Sequence, residues 1–293
     1  MSKRGISNDE RSTSKPGVIG KKHRFLGLSL AGGKTDKACL AVLEYYPEYK
    51  KIFLTKVLDK IKNEESISAD LKLFETIDQN RTDAESLALD VPWQLPLCLR
   101  CKLKCPGYER CQEDQILWMW NYYKNKNMKK RPKKIFTPYT QRTVEMFLAT
   151  ELEEPFIVPH AMGANRAPVL ARATFLQRRV SLPTIEVFPT LTLWRIGRSL
   201  NMIKSHLLYH RHSARGSESR RAILNSLNSA NIAFVYEQDI RIMVENNHAF
   251  EAFLCSMTGF LKFMNLTEKR PDGFPKAEDW IDFPLKNIKW KSL

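Results

Sequence analysis

The amino-acid sequence predicts an α/β fold in which helices flank a mixed sheet, and three observations lead to that prediction. Three strand-like runs follow one another over residues 25–59, separated by Gly-Gly-Lys-Thr-Asp and Pro-Glu-Tyr-Lys, which is typical of an antiparallel meander. A helical pattern then precedes a fourth strand at residues 86–89. Further along, helical spacing dominates and Thr-Ile-Glu-Val predicts one more strand. Elements in this arrangement pack as one sheet covered by helices.

The predicted helices follow from the spacing of apolar residues and from capping residues. In the first, apolar side chains recur at intervals of three from Leu71 to Ile77, and Ser68 or Asp70 can cap the N-terminus. A serine cap is also predicted at Ser217, before a later helix. Beyond the first, helices are predicted at residues 115–126, 138–152, 167–180, 190–200, 217–229 and 246–266.

The formal net charge is +15, and the basic side chains are clustered. Residues 1–24 hold seven Lys or Arg and two acids, residues 121–134 hold seven and none, and residues 195–221 hold seven and one. Because Tyr and Trp are interleaved with these cations, the pattern favours a polyanionic partner, most simply nucleic acid, either DNA or RNA. The alternative interpretation is an ordinary solvated surface with a basic tail.

The chain is expected to form one large domain. Residues 1–23 are polar and basic, which is typical of a disordered tail, residues 24–285 carry the predicted elements, and residues 286–293 are a C-terminal tail. No apolar segment of a secretory signal is visible, and no run approaches the roughly 20 apolar residues that span a bilayer. The sequence therefore predicts a cytoplasmic protein without a membrane partner.

Residues 98–111 form a cysteine-rich insertion in that domain. Four cysteines follow the spacing C-x2-C-x3-C-x5-C, namely Cys98, Cys101, Cys105 and Cys111. Four thiolates this close in sequence can close a tetrahedral zinc site, and structural zinc is the leading prediction. An iron–sulfur cluster uses the same four ligands. Redox-active disulfides are a third interpretation, although cysteines of cytosolic proteins more often bind metal or do chemistry than form structural disulfides.

Three acids on separate elements form the candidate catalytic group. Asp90 follows an apolar strand, Glu186 lies within a strand, and Glu251 lies on a polar stripe of the last long helix. If these acids converge, their oxygens suit Mg²⁺ or Mn²⁺. Such a site activates water and stabilises the leaving oxygen in phosphodiester cleavage. The alternative is that each acid pairs with one of the many basic side chains.

Three basic residues are candidate phosphate ligands in the same site. They are Lys34, Arg142 and Arg172, and guanidinium groups in particular match the geometry of phosphate oxygens. A phosphate-binding loop around Lys34 is not predicted, because the pattern G-x-x-x-x-G-K-[ST] would need glycine where the chain has Leu28. The two glycines before Lys34 are more simply a turn between strands.

Several segments, taken in order, resemble a known family. They are GLSLAGGKTDK, LALDVPW, CPGYERC, PYTQR, GANRAPVLAR, IEVFPT and HAFEAFLCSMTGFL. Together they resemble the uncharacterised domain family 429, whose members are predicted RNase H-like nucleases, over roughly residues 24–285. The resemblance implies an RNase H-like mixed sheet with helices on both sides, and a carboxylate cluster for two-metal catalysis.

The resemblance also implies roles for particular residues. Asp90 matches the second acid of the family, Glu186 the acid of its strand-proline motif, and Glu251 the acid of its last helix, where many members have Asp. The chain departs from the family at Ser29, where many members have the Asp of G-x-D-x-A. Asp36 in the following segment is the candidate to compensate for this acid. Otherwise cation binding is weak, or the protein is not a nuclease.

The leading functional prediction is therefore a metal-dependent nuclease that uses Mg²⁺ or Mn²⁺. The first alternative is an RNase H-like protein that binds nucleic acid without cleaving it, having lost its first acid. The second alternative is a nucleotide-dependent kinase or ATPase on the related actin-like version of the fold. Metal dependence separates the first two, because binding alone should survive removal of divalent cations.

Overall fold

A computed structural model describes residues 21–32, 37–125 and 135–290 of the protein. In this part of the chain the strands are β1 His23–Leu30, β2 Ala38–Tyr46, β3 Lys51–Ile61, β4 Ala84–Leu89, β5 Thr184–Val187 and β6 Ile281–Asp282. The helices are α1 Ala69–Asn80, α2 Leu97–Arg100, α3 Asp114–Asn125, α4 Thr143–Glu151, α5 Ala167–Gln177, α6 Pro189–Ser199, α7 Lys204–Tyr209, α8 Gly216–Ser229, α9 Glu237–Glu245 and α10 Asn247–Phe263, with a 3-10 turn at Ala164–Arg166.

The six strands form one mixed sheet in the order β3-β2-β1-β4-β5-β6. Strands β1, β2 and β3 are antiparallel neighbours. On the other side of β1 the pairs are parallel, β4 with β1, β5 with β4 and β6 with β5. The predicted α/β fold with a mixed sheet and flanking helices is confirmed. Because β1 and β4 are parallel, their carboxyl ends meet at one edge of the sheet, and the candidate site lies there.

Local capping explains where two helices begin. Ser68 caps α1 as predicted, because its hydroxyl accepts a hydrogen bond from the N–H of Leu71 at 3.2 Å. Helix α8 begins one residue earlier than predicted, with Arg215 at the N-cap position, so the assignment of Ser217 as a cap is wrong. The N–H of Gly216 already bonds to the carbonyl of the preceding turn at 2.7 Å, and the chain enters the helix directly from that turn.

Helices cover both faces of the sheet. Helix α10 lies across one face against β1, β2 and β4, and together with α6, α8 and α9 it encloses an apolar core around Phe25, Phe250 and Phe253. The opposite face is covered by α1 and α5, which bury Leu73 and Leu176 against the sheet. The protein thus has three layers, with the strands that carry the candidate site in the middle.

Helix α10 approaches β1 closely at Gly27. A Cβ atom at this position would lie 2.0 Å from the carbonyl oxygen of Ala252 and 2.4 Å from the backbone nitrogen of Ser256. Glycine therefore allows the helix backbone to touch the strand. This contact places residues 252–256, in the middle of α10, against the middle of β1.

The segment that follows β6 packs against the main core. Ile288 is buried and Trp290 lies beside it, and the indole N–H of Trp290 donates to Ser199 Oγ at 2.8 Å. The predicted C-terminal tail therefore belongs to the packed structure at least as far as residue 290. Among the helices in the described ranges, none combines the length and apolar character needed to cross a membrane.

Candidate metal centre

Asp90 lies at the carboxyl end of β4, directly beside the end of β1. Its backbone N–H donates to the carbonyl of Leu28 at 3.2 Å, and its carboxylate accepts from the N–H of Leu30, also at 3.2 Å. These two bonds hold the side chain at the edge that the parallel strands share. The side chain is only partly exposed, so its charge is poorly solvated.

Helix α10 brings His248 and Glu251 to the same edge. They are three positions apart, which places both on one face of the helix. Asn246 caps the helix, and its side chain accepts from the N–H groups of His248 at 3.0 Å and Ala249 at 3.4 Å. His248 therefore sits in a well-fixed first turn, and Glu251 follows one turn later as a buried acid.

Asp90, His248 and Glu251 form one group, in which a ligand atom from each residue lies within 4.8 Å of the other two. In the described ranges, no other three His, Cys, Asp or Glu side chains approach one another so closely. Two carboxylates and one imidazole can bind a divalent cation. Sequence reasoning predicted the two acids and missed His248. The sequence feature that could have identified His248 is the spacing His-x-x-Glu on an apolar helix, because this spacing places both side chains on one face.

Ser29 is fully buried and joins two members of the group. Its Oγ lies 2.5 Å from Oδ2 of Asp90 and 2.8 Å from Nδ1 of His248. Because a hydroxyl has one proton, the pattern is satisfied when Ser29 donates to the carboxylate and accepts from the imidazole Nδ1–H. That tautomer leaves the lone pair on Nε2, as in metal-binding histidines whose other nitrogen is hydrogen-bonded.

The electrostatics of the group favour a cation. Burial, and secondly the charge of Glu251, raise the pKa of Asp90 to about 6, while the hydrogen bond from Ser29 opposes this shift. Nε of Arg211 donates to the carboxylate of Glu251, and the Arg211 side chain is 49% exposed. Asp90 has no such guanidinium partner on its carboxylate among the described residues. A bound cation would therefore relieve the repulsion between the two acids.

Glu186 lies on the strand next to Asp90, but its carboxylate is occupied by Arg142. The two Nη atoms of Arg142 donate to Glu186 at 2.7 and 2.5 Å, and its Nε donates to Glu145 at 2.8 Å. All three side chains are buried. The structure does not bring Glu186 into the group of Asp90, Glu251 and a histidine. Arg142 is a buried counter-ion of these two acids, and its role as a phosphate ligand stays a prediction.

The remaining predicted site residues fall into two sets. Arg172 is buried, and its guanidinium donates to Asp70 at 2.7 Å and to backbone carbonyls of the segment between β1 and β2. It therefore ties α5 to α1 and to the sheet, and its role as a phosphate ligand also stays a prediction. Lys34 and Asp36 lie outside the described residues.

Two arginines that the sequence did not single out border the candidate metal centre. Arg211 contacts Glu251, and Nη2 of Arg166 lies 3.5 Å from the backbone carbonyl of Asp90. Arg166 is partly exposed and Arg211 is exposed. Among 47 Lys and Arg residues, neither has a distinctive local pattern, and only the fold places them beside the acids.

The four cysteines of the insertion line one pocket of about 250 Å³. Cys98 lies on α2, and Cys101, Cys105 and Cys111 lie in the loop that follows. All four thiols are free. Although all four belong to the described residues, no three of their sulfur atoms lie within 4.8 Å of one another. The structure thus gathers the thiols around a common pocket, and the identity of a bound metal stays a prediction.

Comparisons with protein-family models, with curated proteins and with solved structures found no match. The fold and the site define the class as an α/β protein with a three-ligand candidate metal centre at the carboxyl edge of its sheet. The function is therefore inferred from that centre and from the charges around it.

Proposed function

We propose that the protein is a divalent-cation-dependent hydrolase that cleaves phosphodiester bonds of nucleic acid. The observation that carries the proposal is the convergence of Asp90, His248 and Glu251 within 4.8 Å. The sheet supports it, because three antiparallel strands followed by parallel strands, with helices on both faces, agree with the RNase H-like architecture that the sequence resemblance implies. Asp36 stays a candidate for a further acid.

The donor set suits Mn²⁺ better than Mg²⁺. Mg²⁺ keeps to oxygen ligands in an octahedral arrangement, whereas an imidazole nitrogen is a common ligand of transition ions. His248 supplies that nitrogen, and Asp90 and Glu251 supply oxygens. Ser29, which occupies the position of the acid that many family members have, contributes no charge. A site with two carboxylates and one neutral imidazole is therefore expected to bind Mn²⁺ more tightly than Mg²⁺.

The side chains around the centre would have different roles in phosphodiester cleavage. When bound, a divalent cation would supply Lewis-acid activation of water and stabilisation of the leaving oxygen. Ser29 holds Asp90 and His248 in fixed orientations through its two hydrogen bonds. Arg166 and Arg211 place guanidinium groups at the rim, where they can bind phosphate oxygens. Arg211 donates to Glu251 in the free protein. If Glu251 also bound a cation, its ion pair with Arg211 would weaken, and the guanidinium would become available for phosphate.

The surface beside the centre supports a polyanionic substrate. The basic segment of residues 195–221 includes Arg211, and the exposed side chains of Lys204 and Arg215 flank it along the same stretch. A polyanion that binds at Arg211 would be attracted by the positive charge of this segment. Affinity would then fall as salt rises, because binding of nucleic acid releases counterions.

A cleavage assay tests the proposal. Single- and double-stranded DNA and RNA are incubated with the full chain and Mn²⁺ or Mg²⁺, and Asp90→Asn is compared with wild type. We expect cleavage by wild type in Mn²⁺, none after EDTA, and a loss of at least about 100-fold in Asp90→Asn, because Asp90 is a proposed ligand of the cation and even groups that only orient such ligands contribute about 10- to 100-fold. Asp282→Asn, which changes a buried acid that pairs with Lys262, is the matched control.

One result of this assay would contradict the nuclease proposal. If neither wild type nor Asp90→Asn cleaves any substrate while both retard nucleic acid in a gel with EDTA present, the protein binds without catalysis. The nuclease proposal then fails, and the alternative of a non-catalytic nucleic-acid-binding protein replaces it.

A further inference from the structure

The pocket lined by Cys98, Cys101, Cys105 and Cys111 has the geometry of a site for a group larger than a single ion. We propose that these four thiolates bind a 4Fe–4S cluster, one thiolate to each iron. The proposal concerns a part of the chain separate from the candidate metal centre, and it does not depend on the nuclease function.

The spacing of the sulfur atoms argues against a preformed zinc site. A tetrahedral zinc ion with Zn–S bonds near 2.3 Å requires its sulfur ligands to lie about 3.8 Å apart. In the cysteine pocket, no three of the four sulfur atoms lie even within 4.8 Å of one another. In a cubane cluster each thiolate binds a different iron, so the four sulfur atoms surround the cluster at wider spacing.

The size of the pocket supports the same conclusion. Its volume of about 250 Å³ is about twenty times what one ordered water molecule needs. A single zinc ion would occupy only a small part of this volume. Apolar side chains contribute much of the wall, among them Leu97, Leu103 and Ile116. Ile116 is buried whereas Leu103 is exposed, so the pocket is shielded from water on its inner side only, and access of water is one of the factors that set the potential of an iron–sulfur cluster.

The charges around the pocket fit an anionic group. A cluster bound by four thiolates carries net negative charge, and two cations, Lys104 and Arg110, line the pocket beside one acid, Glu113. All four residues would bind as thiolates, because a coordinated thiol is deprotonated outright.

The insertion also lacks other means of holding its shape. Residues 101–113 contain no helix or strand. The few hydrogen bonds of this stretch include that of the Arg110 N–H to the Gly107 carbonyl at 3.1 Å and that of the Trp120 indole to the Tyr108 carbonyl at 3.1 Å. Leu99 and Leu103 are 46% and 65% exposed. A loop of this kind gains order from a central group to which four of its side chains bind.

Metal analysis of the anaerobically purified full chain tests the proposal. We expect iron and acid-labile sulfide in equal amounts, with broad visible absorption that bleaches on addition of dithionite. Chemical reconstitution with Fe²⁺ and sulfide should restore the absorption after aerobic loss. Cys101→Ser should lose most of the iron, and since Cys101 is exposed, this variant is expected to fold. Lys102→Ser, an exposed change in the same loop, should retain the cluster.

Two outcomes would overturn the proposal. The first is stoichiometric zinc without iron in wild type, with failure of reconstitution under anaerobic conditions, which would show a single-ion site whose thiols close on binding. The second is iron that remains in Cys101→Ser at the level of wild type and of Lys102→Ser, which would show that the cysteine pocket does not hold it.

Discussion

Ser29 connects the two sides of the candidate metal centre, because its hydroxyl contacts both Asp90 and His248. We expect Ser29→Ala to weaken Mn²⁺ binding about 10-fold, since groups that orient metal ligands typically contribute 10- to 100-fold to affinity. Titration calorimetry with Mn²⁺ measures this change directly.

Ser256→Ala is the matched control for that experiment. Ser256 is also fully buried, and its hydroxyl donates to the carbonyl of Phe253 at 2.8 Å, within α10. This variant should bind Mn²⁺ like wild type. If Ser29→Ala binds Mn²⁺ as tightly as Ser256→Ala does, Ser29 is a packing residue and does not orient the ligands.

Glu278 makes stability depend on pH. Burial raises its pKa to about 7, although Arg142 opposes the shift, and the unfolded value is near 4.5. Between these values the folded state binds more protons than the unfolded state, so stability falls as pH rises. Glu278→Gln removes this titration. We expect wild type to lose up to about 3 kcal/mol relative to Glu278→Gln between pH 4.5 and 8.

Urea unfolding of both proteins across that pH range checks the expectation. The amide oxygen of the variant can accept from Nε2 of Gln115, which donates to Glu278 at 2.8 Å, while the longer bond from the N–H of Val144 at 3.5 Å is lost. The difference in free energy of unfolding between the two proteins should grow with pH and level off above about 7, where Glu278 is ionised. A difference that stays constant over the range would show that Glu278 titrates normally.

The individual residues show what sequence reasoning can and cannot give. Asp90 and Glu251 were predicted because an acid after an apolar strand, or on a polar stripe of an apolar helix, is unusual. His248 was missed although it lies on that same stripe. Arg142 was assigned to phosphate because the sequence shows that it is basic and does not show its partners. Its pairing with Glu186 crosses 44 residues, and only the fold brings the two together.

Helix α10 and strand β1 form the contact that assembles the centre. Gly27→Ala would place Cβ 2.0 Å from a backbone oxygen of α10 and must push the helix away from the strand. We expect a loss of about 3 kcal/mol of stability, at the upper end of typical overpacking costs. Mn²⁺ affinity should fall as well, because the helix carries His248 and Glu251. Urea unfolding and Mn²⁺ titration measure the two effects.

Gly259→Ala is the control for this contact, because it lies on the same helix and faces the same strands. Its Cβ would meet no backbone atom, and the nearest neighbour is Ser86 Oγ at 3.2 Å. The gain of about 1 kcal/mol in helix propensity offsets this close approach, so stability should change little. If Gly27→Ala is as stable as Gly259→Ala and binds Mn²⁺ like wild type, the close contact does not position the centre.

The elements with strong local patterns were predicted, and those without them were missed. The opening of three strands, a helix and a strand follows from turn residues and apolar spacing, and the structure contains it. Helix α9 and strand β6 were not predicted. Helix α9 has nine residues, only four of them buried, and β6 has two. Elements of this length are stabilised by tertiary contacts rather than by local propensity.

For the whole molecule, local patterns predict the fold class but not the site. The candidate metal centre depends on contacts between distant parts of the chain. Ser29 and His248 are 219 positions apart, and Ser29 and Asp90 are 61 apart. No local periodicity encodes such pairs. The net charge of +15 is a property of the whole chain, and it favours a polyanionic partner without indicating where that partner binds.

Mn²⁺ titration of wild type, Asp90→Asn and Glu251→Gln tests the metal centre most directly, because it needs no substrate. We expect wild type to bind one Mn²⁺ at this centre and each variant to bind at least about 10-fold more weakly, since each loses a charged ligand. Asp282→Asn should bind like wild type. Equal Mn²⁺ affinity in all four proteins, or no binding by wild type, would contradict the assignment of Asp90, His248 and Glu251 as a metal centre.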